Sequence, residues 1–217
     1  MLRWQRWSAV SGALFAVILF AAILLSGNET DSTQSVAAWF SDSDHQARSV
    51  SAFFLGVAAS LAFLAFLATL REMLLDAEGG RTGTLSALVS GPGIAFVALL
   101  NASLALFAAP ALLARDDNFT LDGDTAMMFQ NGAWLIFVAA VMVASVFVLA
   151  TSMAALRTGV LPSWLGRAGL IVAVLMLFAF FWVPVLIFLA WTLVASLWMM
   201  ASAWRRAAPP TAVTEQG

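Results

Sequence analysis

The sequence contains no cysteine, no tyrosine and no lysine, and only one histidine, His45. Without cysteine there is no disulfide, no thiolate nucleophile and no thiolate metal site. A single histidine excludes a multi-histidine metal centre or a bis-histidine haem within one chain. Charge is also scarce. Asp, Glu, Lys and Arg make up 10% of the 217 residues, where about 25% is usual for a soluble domain. The formal net charge of -2 leaves no basic surface for a phosphate backbone, so nucleic acid is not an expected partner.

What is present instead is apolar. Hydrophobic residues account for 62% of the chain, and the mean hydropathy is +0.94. These values point to an all-α, multi-pass membrane protein. A helix needs about 20 apolar residues to cross a hydrocarbon core about 30 Å thick. Six stretches meet or approach this, at 8–25, 50–70, 85–113, 129–156, 165–181 and 184–204. The last two share one apolar block, in which Trp182-Val183-Pro184 is the expected turn, because proline disfavours helix at the residue before it. The fifth span is short on this division.

Arginine sets the expected orientation. With the N-terminus inside, eight of the ten arginines fall on cytoplasmic segments, and only Arg48 and Arg115 fall outside. Arginine excess marks the cytoplasmic side. The expected fold is therefore a six-transmembrane-helix bundle over residues 1–206, with both termini cytoplasmic. Residues 207–217 are expected to form a disordered tail. Trp4, Trp7, Trp164 and Trp204 lie near inner ends, and Trp39, Trp134 and Trp182 near outer ends, as interfacial rings do. Arg3, Arg6 and the run that follows resemble a signal peptide, but the run has span length and is expected to remain as an anchor.

The loops offer little chemistry. Val36 to Phe40 in the first outer loop is expected to form a short interfacial helix. Ser43 and Gln46 have capping-box spacing, so the second helix is expected to start near Asp44 and run to about Leu75. The acidic loop from Arg115 to Asp124 has its glycine at the wrong offset for a calcium loop and lacks the closing glutamate. It is expected to be solvated, with Asp124 or Thr125 capping the fourth helix. Asp42, Asp44 and His45 could join these acids around one divalent ion, but a solvated loop explains them as well. Asn28-Glu29-Thr30 and Asn118-Phe119-Thr120 match the glycosylation acceptor pattern.

No charged residue lies near the middle of any span. Proton-coupled carriers, charged-ring channels and voltage sensors keep such charges. Paired aspartates and a Ser-His dyad are also lacking, so no catalytic residue, cofactor or metal site is expected. The candidate binding residues are Gly91, Pro92, Gly93, Asn101 and Asn131. Pro92 removes a helical hydrogen bond and frees the carbonyl near Leu88, which in a broken helix can meet a ligand. The plainer account is a packing kink. Asn101 needs a polar partner in hydrocarbon, and Asn131 or Gln130 could supply one. Ala52, Gly56 and Ser60 form a small-residue row suited to packing within the bundle or to a homodimer.

The segment Arg157-Thr158-Gly159-Val160-Leu161-Pro162-Ser163-Trp164-Leu165-Gly166 has the pattern R-x-G-x-L-P-x-W-L-G. It resembles small bacterial six-helix integral membrane proteins of unknown function. The resemblance implies an inner-membrane bundle and carries over no catalytic or binding residue. In the segment itself, Pro162 suits a helix start, Trp164 an interface, and Gly166 with Gly169 a close helix approach.

The expected function is that of a non-enzymatic accessory, sensory or structural subunit in the plasma (inner) membrane. Its expected partners are membrane lipids, with a membrane protein or a second copy of the chain as further candidates. The alternative is a carrier or exporter of a neutral or hydrophobic small molecule, working through a cavity near the Pro92 break.

Overall fold

The computed structural model describes residues 10–26, 33–78, 83–116, 120–178 and 183–207. The expected tail beyond Ala207, Trp182, the Asn28 acceptor pattern and most of the Asn118 pattern lie outside them. The described residues form seven helices and no strand: α1 (Ser11–Ser26), α2 (Thr33–Ser41), α3 (Ser43–Ala77), α4 (Thr84–Leu113), α5 (Gly123–Thr158), α6 (Ser163–Met176) and α7 (Val183–Ala207). Four are long and apolar enough to cross a membrane: α3, α4, α5 and the Val183–Ser202 part of α7. The other two apolar helices are shorter, 16 residues for α1 and 14 for α6. At 1.5 Å per residue they are about 24 and about 21 Å long, while α3 and α5 exceed about 50 Å.

Apart from the short α2, each helix packs against its neighbours in the chain, and α1 packs against α7. The six apolar helices therefore form a closed ring in the order α1, α3, α4, α5, α6, α7. The interior of this ring is solid. Phe15, Phe63, Phe96, Phe147 and Phe188 come from five different helices, and all are buried. Their ring centroids lie 4.8 Å apart for Phe15–Phe63, 5.1 Å for Phe63–Phe96, 5.3 Å for Phe63–Phe147 and 5.4 Å for Phe96–Phe188. Edge-on and tilted pairs of this kind match the ring quadrupole, and each contributes about 0.5–1.5 kcal/mol beyond area burial.

Small residues let the helices close the ring. Gly56 leaves room for Leu104 of α4, Gly93 for Leu67 of α3, and Gly169 for the Ser152 hydroxyl of α5. Ala52, Gly56 and Ser60 are all buried within the chain, Gly56 against Leu104 of α4. One hydrogen bond ties the two ends of the ring together, from the Ala13 backbone N–H of α1 to Ser196 Oγ of α7 at 3.0 Å.

The helix ends differ from expectation in three places. The N-cap of α3 is Asp42, whose carboxylate accepts the Asp44 N–H at 2.8 Å. Gln46 instead donates its amide to the Phe40 carbonyl, so the Ser43–Gln46 capping box does not form. The N-cap of α5 is Asp122, which accepts from Thr125 N at 2.6 Å, rather than Asp124 or Thr125. A carboxylate placed three residues ahead reaches that N–H with the extended backbone an N-cap needs. Finally, α6 ends at Met176 and α7 begins at Val183. Pro184 thus sits in the first turn of α7, where a missing N–H costs no hydrogen bond.

Candidate functional site

The polar side chains of the spans are mostly used locally. Asn101 donates Nδ2–H to Val97 O at 2.9 Å on its own helix, while its Oδ1 is buried with no hydrogen bond. Asn131 is exposed, and no hydrogen bond among the described residues joins it to Asn101. It is Ser103 that crosses to α5, donating to the Ala133 carbonyl at 2.9 Å. Thr69, Ser90, Thr158 and Thr192 each donate to the carbonyl four residues earlier. This back-bonding satisfies hydroxyls in hydrocarbon without any ligand.

Pro92 lies inside an uninterrupted α4, as does Pro110. Gly93 is buried against Leu67, whereas Gly91 is exposed with open space around it. Pro92 also lines a groove of about 520 Å³ between α4 and α5. On α4 the groove is lined from Thr84 to Pro92, and on α5 from Val146 to Arg157. Small side chains at Ala87 and Ala150 leave the space. Leu88, Val146, Leu149 and Met153 around it are 58%, 49%, 40% and 44% exposed. The groove therefore opens on the outer surface of the ring and not toward the phenylalanine core.

One end of the groove is charged. Arg157 is exposed there, and no carboxylate among the described residues pairs with it. Glu78, at the end of α3, does not pair with it. Its Oε1 accepts the Leu85 N–H at 2.8 Å, in the first turn of α4. Gly83, at φ 62°, precedes that turn and has no side chain to cap it, so Glu78 supplies the acceptor. A carboxylate at a helix N-terminus also meets the positive end of the helix dipole. Arg71 and Arg167 are exposed at the same end of the ring.

The loop between α5 and α6 is built tightly. Gly159 ends α5 at φ 71°, a left-handed conformation that suits glycine, with its N–H on Ala155 O at 2.8 Å. Pro162 occupies the N-cap of α6, Trp164 is exposed, and Gly166 approaches the Ser152 carbonyl and Leu156. From α7, the indole N–H of Trp191 points to the Leu165 carbonyl at 3.4 Å.

The opposite end carries a small cap. Val36 and Phe40 of α2 are buried with Ala111 of α4 and Ala126 of α5. Buried Gln46 links the pieces, since its Oε1 accepts from Arg115 Nε at 3.2 Å. Trp39 stacks on His45 with centroids 3.6 Å apart and planes 6° from parallel. His45 Nδ1 lies 3.7 Å from Asp42 Oδ2. At the start of α5, the N–H and hydroxyl of Thr125 hold the Asp122 carboxyl below its usual pKa range, against a small opposing effect of burial. Among the described residues no three His, Asp or Glu side chains gather to hold a metal ion; Asp117 of the acidic loop lies outside them. No family model, curated protein or solved structure matches this chain.

Proposed function

We propose that the chain is a six-span integral protein of the plasma (inner) membrane, with both termini in the cytoplasm. It acts without catalysis, as an accessory, sensory or structural subunit, through lipid or protein partners. The observation that carries this is the phenylalanine plug. A carrier or channel needs a polar or open route between its helices, and here five aromatic rings from five helices occupy the centre. The groove at Pro92 faces outward, where lipids and other membrane proteins are met.

Two features support six crossings. The arginines segregate to one side under that count. The short helices α1 and α6 each pack between longer neighbours in the ring, and a bilayer adjusts by a few ångströms at modest cost to accommodate short spans.

The sequence has no cysteine, so single cysteines can be introduced and labelled from either side of intact cells. Positions 82 and 158 should be protected, and positions 44 and 120 labelled, by an impermeant maleimide. For function, the protein would be purified in native lipid particles and what accompanies it identified by mass spectrometry. A stoichiometric membrane protein or a specific lipid is expected. Substrate-dependent flux in proteoliposomes would instead establish a carrier and overturn the proposal.

A further inference from the structure

We propose that the groove between α4 and α5 holds one acyl chain of an anionic phospholipid, whose phosphate pairs with Arg157. This rests on the membrane-spanning proposal above and names the partner of that site. Three features of the groove point to this occupant.

The first is length. From Val146 to Arg157 the α5 wall extends about 16 Å, and from Thr84 to Pro92 the α4 wall about 12 Å, at 1.5 Å per residue. One leaflet of a hydrocarbon core about 30 Å thick is about 15 Å deep. A groove with Arg157 at the headgroup level therefore ends near the bilayer midplane, where an acyl chain ends. The second is lining. Apart from Thr84 and Arg157 the walls are Leu85, Ala87, Leu88, Pro92, Val146, Leu149, Ala150 and Met153, all apolar. Pro92 contributes an apolar ring and adds no N–H donor to the deep end.

The third is charge. The one charged lining residue is Arg157, and it is unpaired among the described residues. Glu78, at the end of α3, directs its Oε1 to the Leu85 N–H and forms no ion pair with Arg157. An unpaired guanidinium at the mouth of an apolar groove matches a phosphate with chains attached, because it takes two phosphate oxygens at once. A zwitterionic lipid offers the same phosphate with a compensating ammonium. An anionic headgroup such as phosphatidylglycerol is therefore favoured, by about fivefold for one basic residue at the surface.

The test uses the full chain, exchanged into mixed micelles with equal amounts of dioleoyl phosphatidylglycerol and dioleoyl phosphatidylethanolamine. Native mass spectrometry then reads the lipids that stay bound. The wild type is expected to retain phosphatidylglycerol about fivefold over phosphatidylethanolamine. Arg157→Gln should bring that ratio near one, and Arg167→Gln, an exposed arginine at the same end but outside the groove, should leave it unchanged. Ala87→Phe, at an exposed lining position, should reduce retention of both lipids by filling the space. Equal retention by the wild type, a preference that survives Arg157→Gln, or full retention in Ala87→Phe would each overturn the inference. None of these results touches the wider partner proposal, which fails instead on the flux measurement.

Discussion

Phe63 of α3 and Phe147 of α5 meet with ring centroids 5.3 Å apart across the middle of the bundle. The two helices touch little elsewhere, because α4 lies between them. Together with Phe15, Phe96 and Phe188, this pair fills what would otherwise be the lumen of a six-helix ring. The six-helix ring is thus a plugged bundle.

Phe63→Ala should destabilise the protein without opening a route. In a soluble core, Phe→Ala costs about 3–5 kcal/mol. Lipid is as apolar as the ring, so the transfer contribution is largely absent here. The expected loss falls below that range and comes from the cavity. Thermal unfolding in detergent should show a lowered midpoint, and solute flux in proteoliposomes should stay at background.

Gly169 and Ser152 form a close contact that a single methyl group disrupts, since a Cβ at 169 would fall on the Ser152 hydroxyl and near the Trp191 indole nitrogen. Gly169→Ala should cost about 1–3 kcal/mol, as overpacking does. Adding Ser152→Gly should restore part of the loss. A melting series of the two single variants and the double variant measures this coupling, and strict additivity would contradict it.

Glu78 ends one long helix and caps the next. Glu78→Ala should remove the acceptor for the Leu85 N–H, at a cost near the ~1 kcal/mol of a lost N-cap. Hydrogen exchange at the Leu85 amide should accelerate. Glu78→Gln keeps a carbonyl acceptor and should protect that amide more than alanine does.

Pro92→Ala separates a packing role from a structural break. The helix already runs unbroken through position 92, and alanine returns a donor for the Leu88 carbonyl. Unfolding midpoints should stay level or rise, in keeping with the roughly 3 kcal/mol by which proline disfavours a helix interior. A large fall would mean that the proline ring itself is needed for packing.

The Asp122 cap should be acid-sensitive. Its carboxyl pKa is lowered, mainly by the Thr125 N–H. A depressed carboxylate adds stability at pH above its unfolded pKa, near the ordinary 3.8, and loses it as pH falls through the lower folded value. Order at the start of α5, followed by exchange of the Thr125 amide, should therefore persist at neutral pH and fade below about pH 4. Asp122→Asn, which caps without titrating, should remove that dependence.

Much of this was legible in the residues. The second helix was expected from about Asp44 to Leu75 and runs Ser43–Ala77. The short helix around Val36 to Phe40 is α2. Both follow from local rules, since good helix formers propagate a helix and a capping residue such as Asp42 starts one. The candidate binding residues fared differently. Pro92 lines a groove, but Gly93 is buried against Leu67, Asn131 is exposed, and Asn101 bonds its own helix. Nothing in their order along the chain could say which of them would meet.

Sequence alone determined that this is a helical, apolar chain, because hydropathy acts residue by residue. Only the tertiary structure decided which face of each helix turns inward. In a soluble protein an apolar stripe marks the buried face, but here lipid and core are equally apolar and the pattern carries no such mark. Phe54 and Phe63 lie on the same helix, one 65% exposed and the other fully buried. Their chemistry is identical. What separates them is shape, the fit of Phe63 among Phe15, Phe96, Phe147 and Phe188, which exists only once five helices have closed around it.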